Sequence, residues 1–363
     1  MKVSIFTLTS NGIELASNLL TIYNDADLFA LEKFNSKLAT SYKDGFKETV
    51  KACFYDSDVL IFICATGIVL RTIAPLLKSK TTDPAVIVMD DNANNIISLL
   101  SGHIGGANEE TIKISKFLNS NPVITTASDV NNKASVDMIA KYNNLTLIDF
   151  KAATDITARI VNGERVLILD DYNGKLGPLK STFGLEVKLM KDGSIVGYND
   201  LEDDFARLDL DEFNSFLAIT NKSSLEIIAD KSCVYLYPKN IIIGIGCRRD
   251  VSSEHILAMI KDTLSDINRS IHSVKHIATV DIKADEVGLI KACEILKLPL
   301  LIVSRKDILK IEDRYEGSDF VKNTIGVRAV SEPCCELTSA AGRFLIKKLK
   351  VNGATISIWE ENY

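Results

Sequence analysis

Leu99-Leu100-Ser101-Gly102-His103-Ile104-Gly105-Gly106-Ala107-Asn108-Glu109-Glu110 decides the fold. An apolar strand end meets the start of a helix through glycines here, which is the junction that α/β layering repeats. Glycine permits close approach of a ligand, the helix start offers unpaired N–H groups, and a histidine in such a turn moves protons near neutral pH. Working outward, Val3 to Leu8, Val59 to Cys64, Ala85 to Met89, Ile96 to Leu100 and Pro122 to Thr125 read as strands. Asn11 to Leu20, Asp44 to Cys53, Gly67 to Leu77 and Ala107 to Leu118 have helical spacing, with Ser10 as the N-cap of the first. This is an open, mainly parallel α/β domain. Its ligand is expected beyond the carboxyl ends of the strands, where Ala65-Thr66-Gly67, Asp90-Asp91, Ser101-Gly102-His103 and Thr125-Thr126 would gather.

From Asp129 to Pro238 the pattern is mixed. A helical piece at Ala134 to Tyr142 accompanies short strands around Val166 to Leu169, Glu186 to Met190, Phe216 to Ile219 and Val234 to Tyr237. Gly174, Gly177, Pro178, Gly193 and Gly197 mark turns between them. Alternation returns with Ile241-Ile242-Ile243-Gly244-Ile245-Gly246-Cys247-Arg248-Arg249, then a helix from Ser252-Ser253-Glu254 to about Ile267. Strands at His276 to Val280, Leu300 to Val303 and Thr355 to Ile358, with helices at Asp285 to Leu296 and Cys335 to Leu349, complete a second α/β unit. The expected fold class is α/β: two open α/β domains, 1–127 and 239–363, with mainly parallel sheets, flanking a smaller α+β domain at 128–238.

Composition narrows the function. With 46% hydrophobic and 25% charged residues in 363, the chain reads as globular, and no apolar run reaches the roughly 20 residues of a membrane span. Met1 to Leu8 reads as a strand and not as a signal peptide, so a cytoplasmic location is expected. A net charge of -6 without a basic stripe argues against nucleic-acid binding. Seven scattered cysteines lack CxxC or zinc-ligand spacing, so no disulfide framework and no metal site are expected. Gly244 and Gly246 suggest a dinucleotide turn, but the third glycine of that fingerprint is missing, and an NAD-dependent oxidoreductase is disfavoured.

Thr66-Gly67-Ile68-Val69-Leu70-Arg71, Asp83-Pro84-Ala85-Val86, Ser98 to Glu109 and Ile124-Thr125-Thr126-Ala127-Ser128-Asp129 resemble the amino-terminal domain of the CbiG family of anaerobic cobalamin synthesis. Gly244-Ile245-Gly246-Cys247-Arg248-Arg249, Thr279-Val280-Asp281-Ile282-Lys283-Ala284-Asp285-Glu286 and Val330-Ser331-Glu332-Pro333 resemble its carboxyl-terminal domain, in the same order. Cys334-Cys335 departs from the small apolar residues usual there, a substitution that packing tolerates. The resemblance implies a hydrolase that opens the δ-lactone of a cobalt-bearing, ring-contracted tetrapyrrole and releases its two-carbon unit as acetaldehyde. It implies no cofactor of the protein's own, because cobalt arrives in the substrate, and handover of the product to other enzymes of the route. A non-catalytic tetrapyrrole carrier is the rival.

For that chemistry His103 is the candidate base or acid, oriented by Glu109 or Asp90, with backbone N–H groups of Gly105, Gly106 and Asn108 holding an oxyanion or substrate carboxylate. A bland alternative has His103 capping the helix or bonding a loop carbonyl. Gly67, Arg71, Ser101, Gly102, Thr125 and Thr126 are candidate substrate contacts on this side, against solvated or capping roles for Arg71, Lys78 and the threonines. Gly244, Gly246, Arg248 and Arg249 are candidates for a second anionic group, one arginine being expected to serve structure. Cys247 is read as a buried thiol in preference to a nucleophile. Lys283 and Glu286 either pin their loop as an ion pair or meet ligand, and Glu332 with Pro333 marks the start of a helix.

Overall fold

The computed structural model describes residues 1–172, 195–197, 213, 215–228 and 231–362. The expected strand at Glu186 to Met190 and the turn residues Gly174, Gly177, Pro178 and Gly193 lie outside them. The chain divides into two compact units, one of Met1–Tyr142 with Ile160–Glu164, the other of Asn143–Arg159, 165–172 and the described residues from 195 onward.

The first unit comprises β1 (Val3–Thr7), α1 (Ser10–Leu19), β2 (Asp27–Ala30), β3 (Thr40–Ser41), α2 (Phe46–Phe54), β4 (Val59–Ile63), α3 (Thr66–Ile73), β5 (Ala85–Met89), β6 (Asn95–Leu100), α4 (Ala107–Leu118), β7 (Asn121–Val123), α5 (Ala127–Val130) and α6 (Val136–Tyr142). Its sheet runs β3-β2-β1-β4-β5-β6-β7. Strands β1 to β5 are parallel, β6 runs antiparallel to β5, and β7 is parallel to β6. Both faces are covered, which is why β4 is apolar at every position: Val59, Ile61 and Ile63 pack with the residues of α1 and α4, and Leu60 and Phe62 with those of α2 and α3. Thr9, not Ser10, caps α1, its hydroxyl accepting from the Gly12 N–H at 2.9 Å. The helix expected over Gly67 to Leu77 ends at Ile73 and closes in a 3-10 turn at Ala74–Leu76 that contains Pro75.

The second unit continues with β8 (Leu145–Leu147), α7 (Phe150–Val161), β9 (Leu167–Asp170), β10 (Ile195–Gly197), β11 (Ser215–Ile219), β12 (Ser232–Pro238), β13 (Ile241–Cys247), α8 (Ser253–Asp266), β14 (Val274–Val280), α9 (Val287–Leu296), β15 (Leu300–Val303), α10 (Arg305–Leu309), α11 (Asp319–Ile325), α12 (Ser331–Thr338), β16 (Gly342–Val351) and β17 (Ala354–Glu361). Its two five-stranded sheets are ordered β10-β9-β11-β12-β8, parallel but for the β12–β8 pair, and β15-β14-β13-β17-β16, parallel through β15, β14 and β13 and antiparallel through β17 and β16. Asn221, after β11, ties the two sheets: its amide donates to Asn240 at 3.2 Å and to Glu360 at 2.6 Å.

One element overturns its expectation. The helix expected over Cys335 to Leu349 stops at Thr338, and the chain returns as the hairpin β16–β17. Asn352 and Gly353, both at positive φ (40° and 89°), form the two-residue turn that sets it, a backbone that favours Asn-Gly.

Candidate active site

Strand direction splits the loops that the sequence reading gathered. The β5–β6 link is a short turn, so β6 returns antiparallel, and its carboxyl end lies beside the amino end of β5. Ser101 records this by donating its hydroxyl to the Asp83 carbonyl at 2.9 Å, just before β5. Ala65-Thr66-Gly67 and Asp90-Asp91 therefore sit at one edge of the sheet, and the Ser101–Gly106 turn with Thr125-Thr126 at the other. A five-residue strand separates the edges by about 13 Å.

The glycine turn is consumed by its own architecture. Gly106 N–H donates to the His103 carbonyl (3.0 Å), Ala107 N–H to Ser101 (3.1 Å) and Asn108 N–H to Gly102 (3.0 Å). Gly106 and Asn108 are thus not free oxyanion donors, contrary to expectation. Gly102 and Gly105 are required by crowding: a Cβ would stand 2.6 Å from Asn108 Oδ1 and 2.5 Å from Ser101 Cβ respectively, while Gly106 has φ +88°.

His103 is the product of this construction. Its Nδ1 lies 3.2 Å from Asp137 Oδ2 on α6, its Nε2 3.1 Å from Asp129 Oδ2 on α5 and 3.3 Å from Ser128 Oγ. The imidazole is 14% exposed and the Asp129 side chain 3%. Burial works to lower the His103 pKa, but hydrogen bonds to Asp129 and Asp137 and their charges outweigh it, and the ring is pushed up to about 9. The shift favours the protonated ring at neutral pH, a form that cannot take a proton from water. Asp137 is held below its ordinary range: burial raises it, yet bonding and charge from His103 prevail. Asn108 braces the row, accepting from Ser98 Oγ at 2.6 Å and donating to Asp129 Oδ2 and Thr126 Oγ1. Asp129 Oδ1 is buried without a partner.

The expected partners of His103 are elsewhere. Glu109 pairs with Lys141 at 3.1 Å, and Lys141 also donates to the His103 carbonyl at 3.2 Å. Asp90 folds onto its own turn, accepting from the Asn92, Asn94 and Asn95 N–H groups at 3.1, 3.1 and 2.7 Å. Asp129 and Asp137 take the role given to them. Asp129 stood in a quoted motif; Asp137 carried no local signal. Arg71 is exposed at the opposite edge and donates to the Gly67 carbonyl at 3.1 Å, whereas Lys78, beside Asp83 on the edge of the histidine turn, lies over the Tyr55 ring, 3.9 Å from its centre.

At the carboxyl end of β13 the glycines serve packing. A Cβ on Gly244 would meet the Ser331 carbonyl oxygen at 1.9 Å, and one on Gly246 would meet Thr355 Oγ1 at 2.8 Å and Val330 Cβ at 3.2 Å, so both let α12 and its preceding residue lie on the sheet and neither opens the backbone to a ligand. Burial pushes the Cys247 thiol up to about 11, so it stays protonated. Arg249 is bound to Asp285 at 2.8 Å and to the Ile282 carbonyl at 3.3 Å, and Arg248 is exposed. Lys283 and Glu286 are buried together at 3.4 Å, with Glu286 also accepting the Asp250 N–H at 2.8 Å. Glu332, in the first turn of α12, is 4% exposed with Oε2 unpartnered, and burial lifts its carboxyl.

Residues 48–129 match the family model for cobalamin synthesis G N-terminal, and residues 241–359 that for cobalamin synthesis G C-terminus. The cobalt-precorrin-5A hydrolase of Priestia megaterium is 32% identical over 363 residues, spanning 98% of this chain and 94% of the relative. That of Salmonella typhimurium is 31% identical over 358 residues, spanning 98% and 97%. A solved cobalamin biosynthesis protein G homolog from Sulfolobus solfataricus, 22% identical, covers 99% of this chain and 97% of its own, with a TM-score of 0.37. The two family models and the two curated relatives place the chain among the proteins of cobalamin biosynthesis. It belongs to the cobalamin synthesis G family. Among the described residues no helix is long and apolar enough to cross a membrane.

Proposed function

We propose that the chain is a cobalt-precorrin-5A hydrolase, adding water to the δ-lactone of that cobalt tetrapyrrole and releasing acetaldehyde to leave cobalt-precorrin-5B. Likeness to two relatives of that name over nearly the whole chain supports the reaction. The observation that carries a site is the His103 row: a histidine, 14% exposed, placed at a strand end between two carboxylates.

In this reading water adds to the lactone carbonyl and loses its proton to a carboxylate, the ring C–O bond breaks, and the freed alkoxide collapses to an aldehyde as the C–C bond cleaves. The macrocycle takes the electrons and is then protonated, so no cofactor beyond the substrate's own cobalt is needed. His103 serves as the proton donor, a substrate oxygen replacing one of its two carboxylate partners, and as the positive charge beside the developing oxyanion.

The test is acetaldehyde release from the cobalt-lactone substrate, followed by a coupled dehydrogenase. The parent chain should turn over, and His103→Asn should fall by about 10² to 10⁴-fold, the range of a lost acid–base group. Tight corrinoid binding without acetaldehyde from the parent chain would replace this reading with that of a carrier.

A further inference from the structure

We propose that Asp129 and Asp137 are positioning residues that grip His103 by both ring nitrogens and commit it to donating protons. The proton-donating role rests on the hydrolase reading; the grip does not. A neutral imidazole carries one N–H, whereas this ring faces a carboxylate oxygen at each nitrogen, 3.1 Å away at Nε2 and 3.2 Å at Nδ1. Removing the proton would turn a lone pair toward one carboxylate across a hydrogen-bond distance, so with both aspartates ionised the two contacts persist together only in the cation.

Every element around the ring reinforces that arrangement. From α4, Asn108 is 2% exposed and fixes Asp129 with its amide, while Ser98 and Thr126 fix Asn108 in turn. From α6, Asp137 keeps its second oxygen on the Met138 N–H at 3.0 Å, and Lys141 reaches the His103 carbonyl and Glu109. The charged groups facing the ring are thus Asp129 and Asp137, with the Lys141–Glu109 pair behind its backbone. Asp129 retains a buried, unpartnered Oδ1.

The full chain has four histidines, so ¹⁵N imidazole spectra resolve His103 once His103→Gln has assigned it. At pH 7.5 both its ring nitrogens should carry protons, and its proton affinity should exceed that of an unperturbed histidine at least tenfold. Asp137→Asn should lower that affinity tenfold or more, and the alkaline limb of acetaldehyde release should move toward acid by the same interval, a shift that loss of a merely structural contact would not produce. Asp129→Asn should do the same; where it fails to fold, Asp137→Asn, at a side chain 20% exposed, carries the test. A neutral His103 at pH 7.5 in the parent chain, or an affinity unchanged by Asp137→Asn, overturns the grip. A ring that behaves as stated in a chain releasing no acetaldehyde upholds the grip and removes the hydrolase reading.

Discussion

Replacing Gly244 by alanine separates the two reasons a glycine has for standing at the end of β13. The new Cβ would lie 1.9 Å from the Ser331 carbonyl oxygen and 2.8 Å from Cys335 Sγ, about 1.5 Å short of ordinary contact with the former. Helix α12 must retreat by that amount or the strand must bend. The helix is poorly placed to move: Ser331 Oγ accepts from Ser357 Oγ at 2.9 Å, Cys335 is fully buried, and Thr338 Oγ1 meets His276 at 3.0 Å. Overpacking a fixed contact of this kind costs about 3 kcal/mol, the upper end of the usual range. For a unit of this size that corresponds to a fall in Tm of roughly 6–12 °C. Trp359, the only tryptophan, sits on β17 opposite Ile242 of β13 and reports the transition by fluorescence. An unchanged Tm in Gly244→Ala, with corrinoid binding lost, would refute the packing argument and restore the glycine to a ligand.

Three further outcomes follow from the same geometry. Because the folded pKa of His103 is raised from 6.5 to about 9, its contribution is complete below 6.5 and disappears as pH rises through 9; of about 3 kcal/mol in all, most should be lost between pH 7 and pH 10. Urea unfolding of the first unit, followed by tyrosine near-UV signals with Trp359 as the second unit's control, should show this loss in the parent chain and not in His103→Gln; equal losses in both would exclude it. Lys283→Met takes the buried partner from the Glu286 carboxylate, leaving it the Asp250 N–H and Arg249, and should destabilise the second unit by about 3 kcal/mol, much of which the added Glu286→Gln should recover in the same urea assay. Gly353→Ala places a side chain at φ +89° and should cost about 1–2 kcal/mol, read as a lower urea midpoint, while Asn352→Gly should leave it nearly unchanged.

Much of the scaffold was legible because burial on both faces of a parallel sheet writes itself as an unbroken apolar run. Val59 to Ile63 and Ala85 to Met89 could scarcely be anything else. The β16 strand was not legible by the same rule. It is an edge strand whose Arg343, Lys347 and Lys350 are exposed, and basic residues at those intervals also suit a helix flank. The decisive local signal was Asn352-Gly353, a dipeptide whose turn geometry admits a hairpin and ends a helix. Strand direction was open to inference too: Asp90 to Asn94 is too short for a parallel crossover, so β6 had to return antiparallel and carry the histidine turn to the far edge.

The site divides along the same line between local and distant causes. The sequence reading found His103, Asn108 and the glycines, because a turn closed within a few residues announces itself in composition. Their local reasons differ from those attributed to them: Gly102 and Gly105 make room for Asn108 and Ser101, Gly106 holds a φ of +88°, and the Gly106 and Asn108 N–H groups offered to a ligand close the turn itself. The charge state of His103 depends on Asp129 and Asp137, which stand 26 and 34 residues further along the chain. Glu109, six residues away, was the natural guess, yet on α4 its carboxylate reaches Lys141 of α6 and not the ring. A buried imidazole takes its protonation from whatever carboxylates the tertiary fold delivers to its two nitrogens, so the residue type is readable in one dimension and its chemistry only in three.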